Sequence, residues 1–277
     1  MAKDDKSVTD DSVKGIAKEL LLIAKDDPET KEAAQNLATT AKIVTGTLKR
    51  VVIPLAVLNY GIDKFQNYIT TKFQDDMTSR TIKIPPENVI DPKAYIAGPV
   101  LQGLVYTHDE ESLKEMYLNL LASAMNSETA NNAHPSYVEI IKQLSGDEAK
   151  LLKIYLDNNQ YPIAELHWIL NEKREYTRLA RHIVNLTDSE TKLPVVVDMM
   201  PVYIENWIRL GLVMVTYTEH QTGENTYDWV KSRPEYTSRP VQKAKEGEFQ
   251  TEIDVVKGLM VRTKYGEIFG KIVGISY

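Results

Sequence analysis

The chain has 277 residues, 43% of them hydrophobic, enough for one large or two modest domains and too many for wholesale disorder. It holds no cysteine, which excludes disulfides, thiolate metal sites and a cysteine nucleophile and fits a reducing compartment. A net charge of −6 favours solubility and weighs against a general nucleic-acid binder, and the polar start MAKDDKSVTDDSVKG lacks the apolar core of a secretory signal, so the expected location is the cytoplasm.

Residues 1–80 read as an elongated helical region. Val13, Ile16, Leu20, Leu21 and Ala24 recur at helical spacing until Asp26-Asp27-Pro28 interrupts them. From Ala34 to Ile69, apolar residues then alternate spacings of 3 and 4 over five heptads, the pattern of a coiled-coil or bundle seam. A continuous helix of that span would be roughly 52 Å long. Pro54 kinks or splits it, because proline removes one helical hydrogen bond and its ring crowds the preceding turn. The seam is either the core stripe of an intramolecular bundle or a self-association surface making a homo-oligomer, with Leu48, Val51, Leu55, Leu58 and Ile62 as its candidates. The apolar run Val51–Leu58 also admits a membrane-active reading of residues 43–73, with association on activation. Its eight residues are far fewer than the roughly 20 a spanning helix needs.

Residues 81–145 form a central helical segment. Ile84-Pro85-Pro86 and Asp91-Pro92 end the preceding helices. Gly98-Pro99 and Gly103 predict a helix that is short or starts near Pro99. Thr107-His108-Asp109-Glu110 has the form of a capping box opening a helix. Leu113, Met116, Tyr117, Leu120, Leu121 and Ala124 form its apolar stripe. His108 beside three carboxylates is a solvated first turn, since successive positions fan out around a helix and do not converge. After the polar loop Asn126–Ala133, His134-Pro135 precedes a helix with Tyr137, Ile140, Ile141 and Leu144 inward. His134 reads as a loop cap or a buried hydrogen-bonding side chain.

Residues 146–277 read as a winged-helix-like α+β domain. Ser145-Gly146-Asp147-Glu148 is a second capping box. The apolar spacing predicts short helices over 163–170 and 172–186, and another over 198–210 that Gly211 ends. Leu212–Thr218 alternates as a strand, with Thr226–Val230 as its partner after a turn at 221–224. A further strand at Gly258–Thr263 and a helix over Lys264–Val273 close the chain. Helix, helix, helix, hairpin and closing helix is the winged-helix order, with a long insertion at 219–257. Lys173, Arg174, Arg178, Arg181, Lys231, Arg233 and Arg239 are its candidate contacts for nucleic acid or a protein partner. The helix over 198–210 exposes Asp198, Glu205, Asn206 and Arg209, a poor reader of DNA, so nucleic acid is disfavoured without being excluded.

No constellation of enzyme chemistry stands out. Gly266-x-x-x-Gly270-Lys271 is one residue short of a phosphate loop, and no HExxH, GxSxG or GxGxxG occurs. The five histidines are dispersed, so no catalytic, cofactor or metal residues are assigned.

The words AGPVLQGLVYTHDEESLKEMYLNLLASAMN and HPSYVEIIKQLSGDEAKLL resemble the bacterial abortive infection alpha family. The matching pieces include Ala97-Gly98-Pro99, Tyr106, Asp109-Glu110, Leu120–Met125, His134-Pro135 and Ile141–Ser145, and the likeness covers most of residues 50–275. It implies a role in phage defence, in which the infected cell stops growing or dies. The resemblance supplies no catalytic residues. The expectation is a mainly α, non-enzymatic defence protein acting through protein interaction, as sensor or arrest effector. Its partner would be a phage-encoded trigger or a neighbouring defence protein. The alternatives are the membrane-disrupting effector and a nucleic-acid-binding regulator.

Overall fold

The computed structural model describes residue 39, residues 62–238 and residues 250–275. The seam candidates Leu48, Val51, Leu55 and Leu58 and the contact candidate Arg239 lie outside the described residues, and at Ile62 only the backbone is described. The chain divides into two units, residues 1–153 with 268–277 and residues 154–267.

The first unit is helical. It holds α1 (Ile62–Thr71), α2 (Phe73–Thr81), α3 (Ala94–Thr107), α4 (Glu111–Ala124), α5 (Ser136–Lys142), the start of α6 (Gly146–Asp157) and the end of the last helix, α9 (Lys264–Ile272). The apolar stripe anticipated on α4 is buried throughout, from Leu113 to Ala124. Close packing of α3 on α4 depends on Gly103, since a Cβ there would overlap the Tyr117 ring. Two polar residues one turn apart on α4 finish α9. Asn119 Nδ2 donates to the Val273 carbonyl and Ser123 Oγ to that of Ile272, both at 3.1 Å. They satisfy carbonyls that a helix end leaves without partners.

Two expectations are corrected here. Helix α3 runs unbroken through Pro99. The proline forfeits only the bond to the Tyr95 carbonyl, on an exposed residue, while Ala97, Val100, Leu101 and Leu104 are fully buried and hold the helix in place. The box at Thr107 does not form. Thr107 is the last residue of α3, its hydroxyl donates to the Gly103 carbonyl at 3.1 Å, and α4 starts after Glu110 without a side-chain cap. The second box does form. Ser145 Oγ accepts the Glu148 amide at 3.2 Å, and Glu148 Oε2 accepts the Ser145 amide at 3.3 Å. His134 is a loop cap, with Nδ1 accepting the Ser136 amide at 3.2 Å.

The second unit is built on a four-stranded antiparallel sheet of order β2-β1-β4-β3. Its strands are β1 (Gln160–Ile169), β2 (Tyr176–Val184), β3 (Val213–Thr216) and β4 (Glu252–Arg262), with α7 (Met200–Arg209) before β3. The helices expected over 163–170 and 172–186 are therefore strands, and the helix–helix–helix–hairpin order is not what these residues adopt. Burial on both faces of β1 hides its alternation. Two register shifts in the pairing of β1 with β2 space Tyr176, Leu179, Ala180 and Ile183 in a way that imitates a helix.

The strand at 213–216, α7 and α9 lie where expected, and Gly211 ends α7 with a φ of +73°. Its amide donates to Ile208 and that of Leu212 to Trp207, both at 2.9 Å, a double bond pattern that needs the left-handed residue between them. The partner of β3 is β4, not Thr226–Val230, because the latter residues belong to a turn and a 3₁₀ segment, Asp228–Ser232. That segment and α8 (Pro234–Thr237) follow β3. Tyr227 and Val230 pack with Ala164, Leu166 and Ile183 into a core on one sheet face. Among the described residues no helix is long and apolar enough to cross a membrane.

Candidate functional site

The second unit buries charge. In an unbroken strand Arg178 and Arg181, three positions apart, would point to opposite faces. The register shifts in β2 bring both guanidinium groups to one carboxylate, Glu165 on β1. Glu165 is buried and accepts from three sides. His167 Nε2 lies 2.5 Å and Arg178 Nε 2.9 Å from Oε1, and Arg181 Nε is 3.3 Å from Oε2. Burial pushes the Glu165 carboxyl upward, but the hydrogen bonds from His167 and Arg178 prevail and hold it below the ordinary carboxylate range. Tyr176 stacks on His167 with ring centroids 3.9 Å apart, fixing the imidazole in plane.

A second chain of bonds adjoins the first through Arg181, whose NH1 also reaches Glu205 on α7 at 3.1 Å. His182 follows Arg181 with a φ of +58°, an unusual conformation for a non-glycine residue. Its side chain is 1% exposed. Nε2 lies 2.8 Å from Glu205 Oε1 and Nδ1 lies 3.1 Å from the Tyr217 hydroxyl, which also accepts the His182 amide at 3.2 Å. A neutral imidazole protonated at Nε2 satisfies all three contacts: it donates to Glu205 and accepts from Tyr217. Burial lowers the His182 pKa, against the pull of Glu205, which favours that neutral form. Burial likewise pushes the Tyr217 hydroxyl up to about 12, so it stays protonated at neutral pH.

Beside this network lies a cleft of about 260 Å³ between β2 and the segment 195–201. Arg181 and His182 line one wall and Val195, Val197, Met200 and Pro201 the other, with Arg233 and Glu235 also in the lining. Arg233 is buried. It holds Glu235 through Nε at 3.1 Å and NH2 at 2.9 Å, and it donates from NH1 to the Leu186 carbonyl at 3.0 Å. Val196 of the lining is 43% exposed, and Leu193, Met199 and Val202 in the same stretch of chain are 64, 48 and 54% exposed.

The described sequence candidates fall into four groups. Arg178 and Arg181 sit in the Glu165 cluster, and Arg233 is inside the cleft wall. Arg174, in the β1–β2 turn with a φ of +60°, pairs with Glu252 at 2.9 Å and Asp254 at 3.0 Å. Lys173 and Lys231 are exposed. The structure thus brings Arg178 and Arg181 together on Glu165, puts Arg181 and Arg233 in the lining of one cleft, and leaves Lys173, Arg174 and Lys231 out of both. Glu165, His167, His182, Glu205 and Tyr217 were not singled out from sequence as a cluster. The available signal was a glutamate and a histidine two residues apart inside the otherwise apolar run Ile163–Ile169. Among the described residues no group of histidine and acidic side chains is arranged to hold a metal ion. His108, the other acid-flanked histidine, packs against the rings of Phe65 and Tyr68.

The sequence model of the family described as abortive infection alpha matches residues 65–273, a span that includes the whole site. Comparisons with curated proteins and with solved structures gave no match.

Proposed function

The chain belongs to the abortive infection alpha family, and from that premise we propose that it acts in phage defence through contact with another protein, as sensor or growth-arrest effector, without chemistry of its own. The observation that carries the contact reading is the stretch Leu193–Val202, which exposes four large apolar side chains, with Val196 among them lining the cleft. Clustered exposed apolar groups mark interaction surfaces more often than reaction centres. The charged groups behind the cleft support the same reading, because the Glu165 and His182 clusters spend their hydrogen bonds on each other.

The test is expression in a bacterial host with and without phage, scoring plaques, survival of infected cells and membrane potential together. Protection with potential retained until late infection is the expected result. Immediate depolarisation on expression would favour a membrane effector instead.

A further inference from the structure

We infer that the cleft between β2 and residues 195–201 receives a large apolar side chain from a protein segment that carries a lysine or arginine next to it. This deepens the protein-contact reading above and rests on it. At about 260 Å³ the cleft falls below the roughly 300–1,000 Å³ usual for small-molecule pockets and suits one or two side chains. The wall opposite Arg181 and His182 is apolar, from Val195, Val197, Met200 and Pro201, and the exposed Val196 extends it onto the surface.

Charge selects the occupant. The Arg233 guanidinium is met by both oxygens of Glu235, and Arg181 is tied to Glu165 and Glu205, so neither cation is left for an anionic ligand. Asp198 is the remaining charged residue of the lining. It is exposed, and among the described residues no hydrogen bond or ion pair engages its carboxylate. A single unanswered carboxylate on an apolar cleft favours a segment that pairs an apolar anchor with a cation and repels one with an acid.

The probe is an array of peptides placing Leu, Phe or Trp two residues from Lys, beside the same peptides with Glu for Lys, read with the full chain. The strongest pair is then titrated by fluorescence anisotropy. The lysine peptide is expected to bind about threefold or more tightly than its glutamate counterpart, as an exposed ion pair allows. Val196→Asp should weaken binding more than about tenfold with unchanged circular dichroism. Asp198→Asn should bind both peptides alike. An array without binders, a lysine preference that persists in Asp198→Asn, or binding indifferent to Val196→Asp would overturn the inference. So would a dimer lost on Val196→Asp, since a second copy would then be the occupant. Phage protection measured on the same variants separates the two levels. Protection that survives Val196→Asp removes this cleft alone, whereas a wild type that never protects removes the defence reading beneath it.

Discussion

The two units fill their interiors with different materials. The helical unit closes on Leu113, Met116, Leu120 and Leu121 of α4 against α3, and polar side chains such as Asn119 and Ser123 finish the end of α9. The sheet unit buries Glu165, His167, His182 and Arg233 and answers each with a specific partner. Apolar burial tolerates small shifts, because dispersion and water exclusion have no direction. A buried carboxylate does not, since its two oxygens need donors in place. The first unit can therefore be assembled by pattern, whereas the second must be assembled by geometry. The left-handed His182 and the register shifts of β2 are the local cost of that geometry.

Mutations should separate the two strategies. The largest loss is expected from Leu120→Ala, which opens a cavity in the helical core and should cost about 4 kcal/mol in urea unfolding followed by circular dichroism. Glu165→Ala should cost about 3 kcal/mol, reduced from the fully buried case because Arg178 and Arg181 can turn to solvent. All three tryptophans, Trp168, Trp207 and Trp229, lie in the sheet unit, so their fluorescence should register Glu165→Ala. A loss under about 1 kcal/mol would mean that the cluster is ornamental. Ser145→Ala removes the acceptor for the Glu148 amide and should cost about 1 kcal/mol, recovered mostly by Asp at the same position.

The pH response should be smaller, and its histidine part should fall in the sheet unit. His182 has a folded pKa below its ordinary 6.5, so its contribution is complete above that value. It is lost as pH falls, when the unfolded chain takes up a proton that the folded one resists. Glu165 and Glu205 are also lowered, and their contributions disappear below the ordinary carboxylate value of 4.5. Burial raises Tyr68 and Tyr117 in the helical unit and Tyr155 and Tyr217 in the sheet unit, so stability is lost above pH 10 in both, as the unfolded phenols ionise first. Tryptophan fluorescence should report a sheet unit that weakens as pH falls below 6.5, and His182→Asn should flatten that slope. A slope unchanged by the substitution would contradict the neutral assignment of His182.

The same contrast explains what could be read in advance. On α4 the apolar positions repeat at helical spacing and one face is dry, so the pattern and the structure coincide. The box at Ser145 was legible because all its partners are local. Thr107 had the same spelling and failed, since α3 runs on to include it and draws its hydroxyl back to Gly103. On β1 both faces are buried, and the alternation that identifies a strand is absent from Ile163-Ala164-Glu165-Leu166. On β2 the extra residues at the register shifts convert a period of two into a spacing that mimics a helix. The sequence marks the basic residues there as a contact surface. Their convergence on Glu165 was out of reach, because it depends on a strand pairing and not on sequence distance.

Plaque formation on cells expressing paired variants tests the central claim most directly. His182→Asn keeps a side chain that tolerates the left-handed backbone while removing the imidazole. Val196→Asp leaves the cluster intact and places a charge on the exposed edge of the cleft. With both proteins shown folded, the expected result is protection retained by His182→Asn and lost by Val196→Asp. Protection lost by His182→Asn and retained by Val196→Asp would contradict the account and move the working part of the molecule from the apolar surface to the buried histidine.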